Sequence, residues 1–448
     1  MDRTIDAVAT DTRALPQGRD ALFVALKGEN FDGHAHVAAA ANGGCVAALV
    51  AREVDAPIPQ VVVADTERAL GDFAAAVQRE RATKVLAITG SNGKTSVKTL
   101  LLAILEQAGG AYANPGNRNN EIGLPLAVLD APEDARFAVY EMGAGKPGDI
   151  AYLTAIARPD VALVNNIAPA HLERMGSLLG VADTKAAIYD ALPAEGVAVV
   201  NADDAFAPYF EQRVLLARAQ GRRIIRIGLD ASADITARDI RADGDGSRFL
   251  LVTPRGEVAI DLPMPGRHNV RNALAAAAMA LGAGATLEQV RDGLNAVQPV
   301  AGRLIAHRLR NGAVLVDDSY NANPGSLDAA IDTLAGSGDE GWLVLGDMRE
   351  LGAEEVALHA QAGTRAKAAG IARLYTLGGL SAAASEAFGE GARAFASHAA
   401  LADALDAELR GGVRVLVKGS RGSAMDRIVK ALLQRDAAEN GGGTTDAA

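Results

Sequence analysis

Apolar and polar positions follow two recurring arrangements along the chain. Short apolar runs rich in β-branched residues, such as Val85–Ile88 and Val161–Asn165, predict buried strands. Longer stretches with helical spacing, such as Glu67–Glu80 and Asn269–Leu281, alternate with those runs. Strands that alternate with helices almost throughout predict an α/β fold with mostly parallel sheets.

The same pattern divides the chain into three units. Residues 1–81 contain predicted strands and a helix capped by Thr66, and residues 299–438 again alternate strands with helices. Residues 82–298 include a stretch, 222–262, whose four short strands and Gly/Asp turns predict an antiparallel β insert. Residues 439–448 are rich in Gly, Thr and Ala, and we expect a disordered tail there.

Composition narrows the class of protein. Hydrophobic residues make up 49% of the 448 residues but aromatic residues only 4%, which predicts aliphatic cores. A net charge of −11 argues against nucleic acid or an anionic membrane surface as the main partner. Cys45 is the single cysteine, which excludes an intramolecular disulfide. With no signal core and no long apolar window, we expect a cytoplasmic protein without a membrane span. No sequence feature indicates an obligate assembly, so we expect a monomer.

The strongest candidate for chemistry is a glycine-rich loop between a strand and a helix, Gly90-Ser91-Asn92-Gly93-Lys94-Thr95-Ser96. Glycines let backbone N–H groups wrap phosphates, and the helix N-terminus adds partial positive charge. Lys94 would reach the β- and γ-phosphates, and the Thr95 hydroxyl would reach Mg²⁺. The usual, longer spacing would place a glycine where Ile88 stands. A plain glycine turn is the alternative, and the lysine-threonine pair disfavours it.

Three further residues follow the strands of the same unit. Glu141 ends a predicted strand, where a carboxylate can bind the Mg²⁺ of a nucleotide or simply face solvent. His171 follows the next strand, and either a ligand or a solvated loop histidine fits that position. Lys185 lies in a helical stretch, and its spacing alone favours an exposed lysine.

Three polar segments complete the candidate chemistry. Pro265–Asn272 precedes a helix, where it could pack near an adenine or form an ordinary polar turn. Asp317–Pro324 follows a strand of the third unit and carries carboxylates, amides and a hydroxyl; an Asx-rich loop is the alternative. Lys418–Gly422 also follows a strand, and its two cations could bind a carboxylate or a phosphate.

Taken in order, these motifs resemble the Mur ligases, the ATP-dependent amide-bond ligases of peptidoglycan synthesis. The resemblance covers nearly the whole chain and runs through the short loop, Glu141, His171, Lys185, Asn269, Arg303 and Asp317. It implies a UDP-sugar domain at 1–81, a central ATP-binding domain at 82–298, and a Rossmann-like domain at 299–438. The last would close over ATP and bind a dipeptide.

Within the family, the chain is similar to the members that join D-alanyl-D-alanine to UDP-MurNAc-tripeptide. The similar segments are Asp11–Arg13, Leu22–His34, Asn117–Gly123, Asp317–Asn323, Leu345–Gly352 and Lys418–Arg421. The Asp-Asn-Pro-Arg motif of the members that add diaminopimelate is absent. The diamino acid at the third peptide position stays open. The chain also begins closer to Asp11 than the family usually does, so we expect the edge of the first domain to differ.

The resemblance also implies roles for individual residues. The loop Gly90–Ser96, with Lys94, would hold the ATP phosphates, and Asn269, Arg303 and Asp317 would close around the nucleotide. Thr95 and Glu141 would bind one Mg²⁺, and His171 with a carbamylated Lys185 would support a second. Lys94, Glu141, His171 and Lys185 would then form the catalytic set. The implied substrate-binding residues are Asp11, Thr12, Arg13, Lys27, Asn30, Asn119, Asn120, Asn321, Asn323, Ser420 and Arg421.

Three other functions remain open from the sequence. A sibling ligase, either another muramyl ligase or a folylpolyglutamate synthetase, would differ in its acceptor. A nucleotide-dependent switch would bind ATP without ligation, but it needs no second metal site. A small-molecule kinase would release a stable phosphorylated product instead of free phosphate.

Overall fold

The computed structural model describes residues 4–169, 172–216, 221–243, 246–298 and 302–438. The N-terminal unit is a parallel four-stranded sheet in the order β1-β2-β3-β4. Its strands are β1 (Ala7–Ala9), β2 (Ala21–Val24), β3 (Cys45–Val50) and β4 (Gln60–Val62), with helices α1 (Val37–Asn42) and α2 (Thr66–Glu80). Buried Phe23, Val37 and Val50 pack together between the sheet and α1.

The helix α2 begins one residue earlier than the sequence predicted, and the predicted cap is wrong. Asp65 is the N-cap, because its carboxylate accepts hydrogen bonds from the backbone N–H groups of Glu67 and Arg68. The Thr66 hydroxyl instead donates to the carbonyl of Ala25 at 3.0 Å and ties the helix to the sheet.

A parallel six-stranded sheet forms the central unit, in the order β10-β9-β8-β5-β7-β6. Its strands are β5 (Lys84–Thr89), β6 (Ala111–Ala113), β7 (Phe137–Glu141), β8 (Val161–Val164), β9 (Val197–Asn201) and β10 (Arg223–Ile227). Its helices are α3 (Lys94–Glu106), α4 (Gly123–Asp130), α5 (Asp149–Ala157), α6 (Leu172–Met175), α7 (Leu178–Asp190), α8 (Ala207–Leu216), α9 (Arg267–Ala283) and α10 (Leu287–Ala296).

Both faces of this sheet are covered, and β5 shows why its sequence is apolar throughout. Leu86 and Ile88 pack toward α3, α9 and α10, whereas Val85 and Ala87 pack toward α5, α7 and α8. Successive side chains of a strand point to opposite faces, so a strand buried on both sides needs an unbroken apolar run.

The antiparallel insert is smaller than the sequence predicted. It has three strands, β11 (Thr236–Asp243), β12 (Gly246–Thr253) and β13 (Gly256–Leu262), and its buried residues pack against α9. The first of the four predicted strands is β10 (Arg223–Ile227), which instead pairs parallel with β9 in the central sheet. Its apolar spacing suits either sheet, and only the tertiary pairing decides between them.

The C-terminal unit is a second six-stranded sheet, in the order β14-β15-β19-β16-β17-β18, in which β14 pairs antiparallel with β15. Its strands are β14 (Ile305–Arg308), β15 (Val314–Asp318), β16 (Glu340–Gly346), β17 (Arg373–Leu377), β18 (Ala392–Phe395) and β19 (Val413–Lys418). Its helices are α11 (Pro324–Ala335), α12 (Glu355–Ala368), α13 (Ala382–Phe388), α14 (His398–Glu408) and α15 (Asp426–Ala438).

The predicted fold class is confirmed: parallel sheets with flanking helices, an antiparallel insert, and smaller α/β units on either side. The domain boundaries at 81/82 and 298/299 stay a prediction. The predicted tail at 439–448 lies outside the described residues. Within the described part of the chain, no helix combines the length and apolar character needed to cross a bilayer.

Candidate active site

One cavity of about 990 Å³ lies where the central and C-terminal units face each other. The central unit contributes the carboxyl ends of β5 and β7 and the loop after β8. The C-terminal unit contributes the loops that follow β15, β16 and β19. Open parallel sheets bind ligands at the carboxyl ends of their strands, so both sheets direct their binding edges into the same space.

The glycine-rich loop lines this cavity from Gly90 to Ser96. Gly93 is the N-cap of α3 with φ of 77°, a left-handed conformation that favours glycine. A Cβ at this position would lie 2.5 Å from Asn165 Nδ2 and 2.6 Å from Asn272 Oδ1. Shape and conformation together exclude a side chain at Gly93, which keeps the loop close to α9.

The residues between the glycines fasten the loop to the segment after β8. Ser91 N donates to the carbonyl of Asn166 at 2.9 Å, and its hydroxyl donates to the carbonyl of Ala168 at 3.0 Å. Asn92 N donates to Asn166 Oδ1 at 2.8 Å. The loop is therefore held from the neighbouring strand, which leaves it shaped before any ligand binds.

Lys94 points back across the loop. Its Nζ donates to the carbonyl of Gly90 at 2.7 Å. Desolvation lowers the pKa of Lys94, the Glu141 carboxylate opposes that effect, and Arg303 adds to it. Lys94 therefore sets a cation at the N-terminus of α3, which suits a phosphate group.

Glu141 ends β7 in a buried position with both oxygens bonded. Its Oε1 accepts a hydrogen bond from Asn119 Nδ2 at 3.0 Å, and Oε2 accepts one from the Thr95 hydroxyl at 3.0 Å. Lys98 Nζ lies 3.2 Å from the same Oε2. Burial by itself would raise the pKa of Glu141, but the Lys98 and Lys94 ammonium groups outweigh burial and lower it.

These groups fit one Mg²⁺ ion. A carboxylate and a hydroxyl 3.0 Å apart at the end of the phosphate loop are hard oxygen donors, which Mg²⁺ prefers. Among the described residues there is no group of three or more His, Cys, Asp or Glu side chains placed to hold a metal on their own. A metal at Glu141 would therefore need oxygens from water or from a nucleotide.

Lys185 lies on α7 and lines the cavity, although only 2% of its surface is exposed to solvent. Desolvation and the nearby Lys94 lower its pKa to about 7, against a smaller opposing effect of Asp149. A buried lysine of this kind carries an uncharged amine part of the time near neutral pH. His171, its predicted partner, lies outside the described residues.

The start of α9 adds amides to the cavity wall. Asn269 Nδ2 donates to the carbonyl of Pro265 at 2.8 Å, and its Oδ1 accepts from Asn272 Nδ2 at 3.2 Å. His268 is adjacent, and burial together with Lys418 and Arg271 lowers its pKa to about 4. The imidazole is therefore uncharged at neutral pH.

Arg303 joins the C-terminal unit to the phosphate loop. Its Nη2 lies 3.5 Å from the Thr95 hydroxyl, and its guanidinium stacks on the Tyr320 ring at 4.3 Å. Asp317, which was predicted to close around the nucleotide together with Arg303, is not among the cavity-lining residues. Its Oδ1 accepts hydrogen bonds from the backbone N–H and the hydroxyl of Ser319. The next residue, Asp318, lines the cavity instead and pairs with Lys418 at 2.5 Å.

Six of the predicted substrate-binding residues line the same cavity: Asn119, Asn120, Asn321, Asn323, Ser420 and Arg421. Asn323 makes a direct bridge between units, because its Nδ2 donates to Asn92 Oδ1 at 2.6 Å. The same asparagine caps α11 through its Oδ1, which accepts from Ser326 N. One residue thus fixes both a helix terminus and its contact with the phosphate loop.

The other five predicted substrate-binding residues lie on the N-terminal unit, away from the cavity wall. Asp11 and Arg13 form an exposed ion pair at 2.6 Å near Thr12. The backbones of Lys27 and Asp32 form an isolated antiparallel β-bridge, and Asn30 lies in the turn between them. The structure does not bring these residues to the phosphate loop, so they would have to bind a different part of a long substrate.

Sequence reasoning missed Lys98 and three cavity-lining charges, Lys146, Asp149 and Arg174. A signal for Lys98 was present: it follows Lys94 by one helical turn in a chain with nine lysines. The other three lie in stretches without a motif, where only the tertiary fold turns them toward the cavity.

These features define a nucleotide-binding α/β protein whose phosphate loop opens onto a second α/β unit. Residues 88–280 match the Mur ligase middle domain, and residues 302–421 match the Mur ligase glutamate ligase domain. The chain is 45% identical over 434 residues to the UDP-N-acetylmuramoyl-tripeptide–D-alanyl-D-alanine ligase of Escherichia coli, covering 96% of this chain and 94% of that protein. The chain belongs to the Mur ligase family.

Solved structures of Mur ligases are similar to this chain over nearly its whole length. The crystal structure of MurF from Acinetobacter baumannii has a TM-score of 0.90 at 34% identity, covering 96% of this chain and 94% of that one. MurF ligase from Thermotoga maritima, in complex with ADP, has a TM-score of 0.87 at 25% identity, with 97% and 98% covered. The similarity therefore spans all three units and not the central one alone.

Proposed function

We propose that this protein is an ADP-forming ligase that joins D-alanyl-D-alanine to UDP-N-acetylmuramoyl-tripeptide in peptidoglycan precursor synthesis. One observation carries the proposal: the phosphate loop and Glu141 face the C-terminal unit across a single cavity. That arrangement suits transfer from ATP on one side to a substrate approached from the other. The full-length similarity to ligases of that name supports the same activity.

The reaction has two steps. The terminal carboxylate of the tripeptide attacks the γ-phosphorus of ATP, and ADP leaves with the electrons of the broken P–O bond. The amine of D-alanyl-D-alanine then attacks the acyl carbon, loses a proton and displaces inorganic phosphate. Both steps gather negative charge, which fixed donors stabilise when they are arranged in advance.

The residues of the central unit bind the nucleotide. The Lys94 ammonium and those N–H groups of the loop Gly90–Ser96 that do not donate to Asn166 hold the phosphates. Asn269 contributes to the nucleotide wall from α9. Arg303 reaches the Thr95 hydroxyl from the C-terminal unit and brings a further positive charge to the transferred group. Mg²⁺ held by Thr95 and Glu141 would neutralise phosphate charge.

Lys185 supports a second metal in this proposal. Its partly uncharged amine can react with CO₂ to form a carbamate, an anionic oxygen donor that a lysine lacks. His171 would be its partner. A pair of ions is therefore proposed, with two separate donor sets.

The substrates divide among the units. Asn119, Asn120, Asn321, Asn323, Ser420 and Arg421 line the cavity where the peptide and the dipeptide meet ATP. Asp11, Thr12, Arg13, Lys27 and Asn30 are proposed to bind the UDP-sugar end on the N-terminal unit. Asp317 is proposed to act through its loop, because its side chain bonds to Ser319.

A monomeric state and a cytoplasmic location remain predictions.

Phosphate release from ATP tests the function directly. The purified protein is given UDP-MurNAc-tripeptides that carry either meso-diaminopimelate or lysine, alone and with D-alanyl-D-alanine, D-alanine or glutamate. We expect phosphate release only when the tripeptide and the dipeptide are both present. A rate that ignores the dipeptide removes the ligase, a stable phosphorylated product indicates a kinase, and a preference for glutamate indicates a sibling ligase.

A further inference from the structure

Lys98 is a buried lysine one helical turn beyond Lys94 on α3, and it does not line the cavity. Its Nζ lies 3.2 Å from Glu141 Oε2 and donates to the carbonyls of Asn114 at 3.0 Å and Gly116 at 3.1 Å. A lysine ammonium has three donors, so each donor of Lys98 has a partner. The partners come from two separate segments, the end of β7 and the loop after β6.

That loop and Glu141 are joined by further hydrogen bonds. Asn114 Oδ1 accepts from the backbone N–H of Glu141 at 2.9 Å, and Asn114 Nδ2 donates to the Glu141 carbonyl at 3.1 Å. Asn119 Nδ2 donates to Glu141 Oε1 at 3.0 Å. The predicted magnesium ligand and the predicted substrate loop are therefore one hydrogen-bonded unit.

Lys98 attaches that unit to the phosphate-loop helix. Thr95 and Lys98 are three residues apart on α3, and both approach Glu141 Oε2. A buried carboxylate is costly without a charged partner, and the nearest alternative, Lys94, is hydrogen bonded to Gly90. Lys98 is therefore the charged group in direct contact with the Glu141 carboxylate, beside the neutral donors Thr95 and Asn119.

We propose that Lys98 is a positioning residue: it fastens Glu141 and the loop 114–120 to α3, so that the metal-nucleotide site and the peptide site share one support. The inference rests on the proposed function, since it concerns the same two sites. A merely structural lysine would stabilise the fold without distinguishing metal-dependent from metal-free nucleotide binding.

The test compares Lys98→Met, Lys98→Arg and a matched control, Lys84→Met. Lys84 is an exposed lysine at the opposite end of β5, so its removal changes the net charge equally. Its Nζ donates to the carbonyl of Ala283 at 3.3 Å, and neither residue lines the cavity. ADP binding is measured by calorimetry without metal and with Mg²⁺, and by electron paramagnetic resonance with Mn²⁺. Steady-state KM for UDP-tripeptide and thermal unfolding are measured on the same samples.

We expect Lys98→Met to bind ADP without metal within about twofold of the unchanged protein. Its gain in ADP affinity from Mg²⁺ should fall about tenfold, and KM for UDP-tripeptide should rise by a similar factor, as for residues that orient metal ligands. Lys98→Arg should keep most of the Mg²⁺ gain because it keeps the charge, and Lys84→Met should match the unchanged protein.

Two results would overturn the inference: an unaltered Mg²⁺ gain in Lys98→Met, or an equal loss of ADP affinity with and without metal. Should Lys98→Met fail to fold, Lys98→Gln is measured against the same two results, because its amide can still donate to the Asn114 carbonyl. An unchanged protein that binds no ADP would instead contradict the proposed function.

Discussion

At the scale of single residues, Lys185 is the side chain whose chemistry the fold alters most visibly. Sequence spacing predicts an exposed helix lysine, whereas the structure buries it beside Lys94 and lowers its pKa to about 7. Its role was predicted from the resemblance to the Mur ligases, because no local sequence pattern indicated it. Burial depends on how α7 packs under the cavity, which periodicity does not reveal.

We expect Lys185→Ala to lower turnover at least about a hundredfold, because it removes the proposed carbamate from the metal site. Short carboxylic acids such as acetate should restore part of the activity by supplying an oxygen donor. Phosphate release with both substrates, measured across acetate concentrations, checks this. Lys185→Ala with undiminished turnover would exclude the metal-site role, and rescue by chloride would show that no carboxylate is needed.

The same lysine predicts a pH dependence of stability. Its folded pKa of about 7 lies below its ordinary 10.5, so between these values the unfolded chain binds more protons and stability rises with pH. Below pH 7 the buried charge costs stability in full. Lys185→Met should therefore melt at least about 2 °C higher than the unchanged protein at pH 6. We expect that advantage to shrink steadily from pH 7 to pH 10.

Thermal unfolding in CO₂-depleted buffer measures this difference, because a carbamate would alter the charge. Lys84→Met is the control: Lys84 is exposed, and loss of its 3.3 Å hydrogen bond to the carbonyl of Ala283 should shift melting by a similar amount across the pH range. A constant difference across the pH range would show that the Lys185 amine does not titrate as the structure indicates.

At the scale of elements, the sequence predicted most strands because buried parallel strands are apolar runs. It missed four strands of three or four residues: Ala7–Ala9, Ala111–Ala113, Ile305–Arg308 and Ala392–Phe395. The first two are also rich in alanine, which has little intrinsic strand preference. It assigned β10 to the wrong sheet for a different reason. Pairing is a long-range property, and a strand between turns looks the same in either sheet.

The helix α11 carries a prediction at this scale, because Asn323 both caps it and contacts Asn92. Asn323→Ala should lose about 1 kcal/mol of stability with the cap. Asn323→Asp keeps the cap's acceptor but loses the donor to Asn92, so it should unfold like the unchanged protein. Both variants should raise KM for ATP. Urea unfolding and steady-state kinetics separate the two effects, and equal destabilisation by Ala and Asp would contradict this division.

At the scale of the whole molecule, the cavity has the opposite charge balance to the chain. The protein carries −11 overall, yet the described lining has more cations than carboxylates even without the partly uncharged Lys185. These cations come from all sides of the cavity: Lys94, Lys146, Arg174, Arg271, Arg303, Arg349, Lys418 and Arg421. A local positive field inside a negative surface concentrates polyanions at one place and repels them elsewhere. The net charge alone could not reveal this.

We therefore expect kcat/KM for UDP-tripeptide to fall as salt rises from about 20 to about 200 mM, because screening shortens the reach of the field. kcat should change little, since buried charges are screened less. Initial rates in potassium chloride, compared with sucrose of equal osmolarity, measure this effect. A kcat/KM independent of salt would show that the cavity charges act only on contact.

The lone Cys45 has a practical consequence for observing motion. It is buried, and burial raises the pKa of its thiol, so it is a poor target for thiol reagents. Cysteines introduced at exposed Glu133 and Glu390 would therefore carry two dyes without removing a native residue first. Single-molecule energy transfer between them would report whether the C-terminal unit moves against the central one during the catalytic cycle. The single native thiol should therefore add little background labelling.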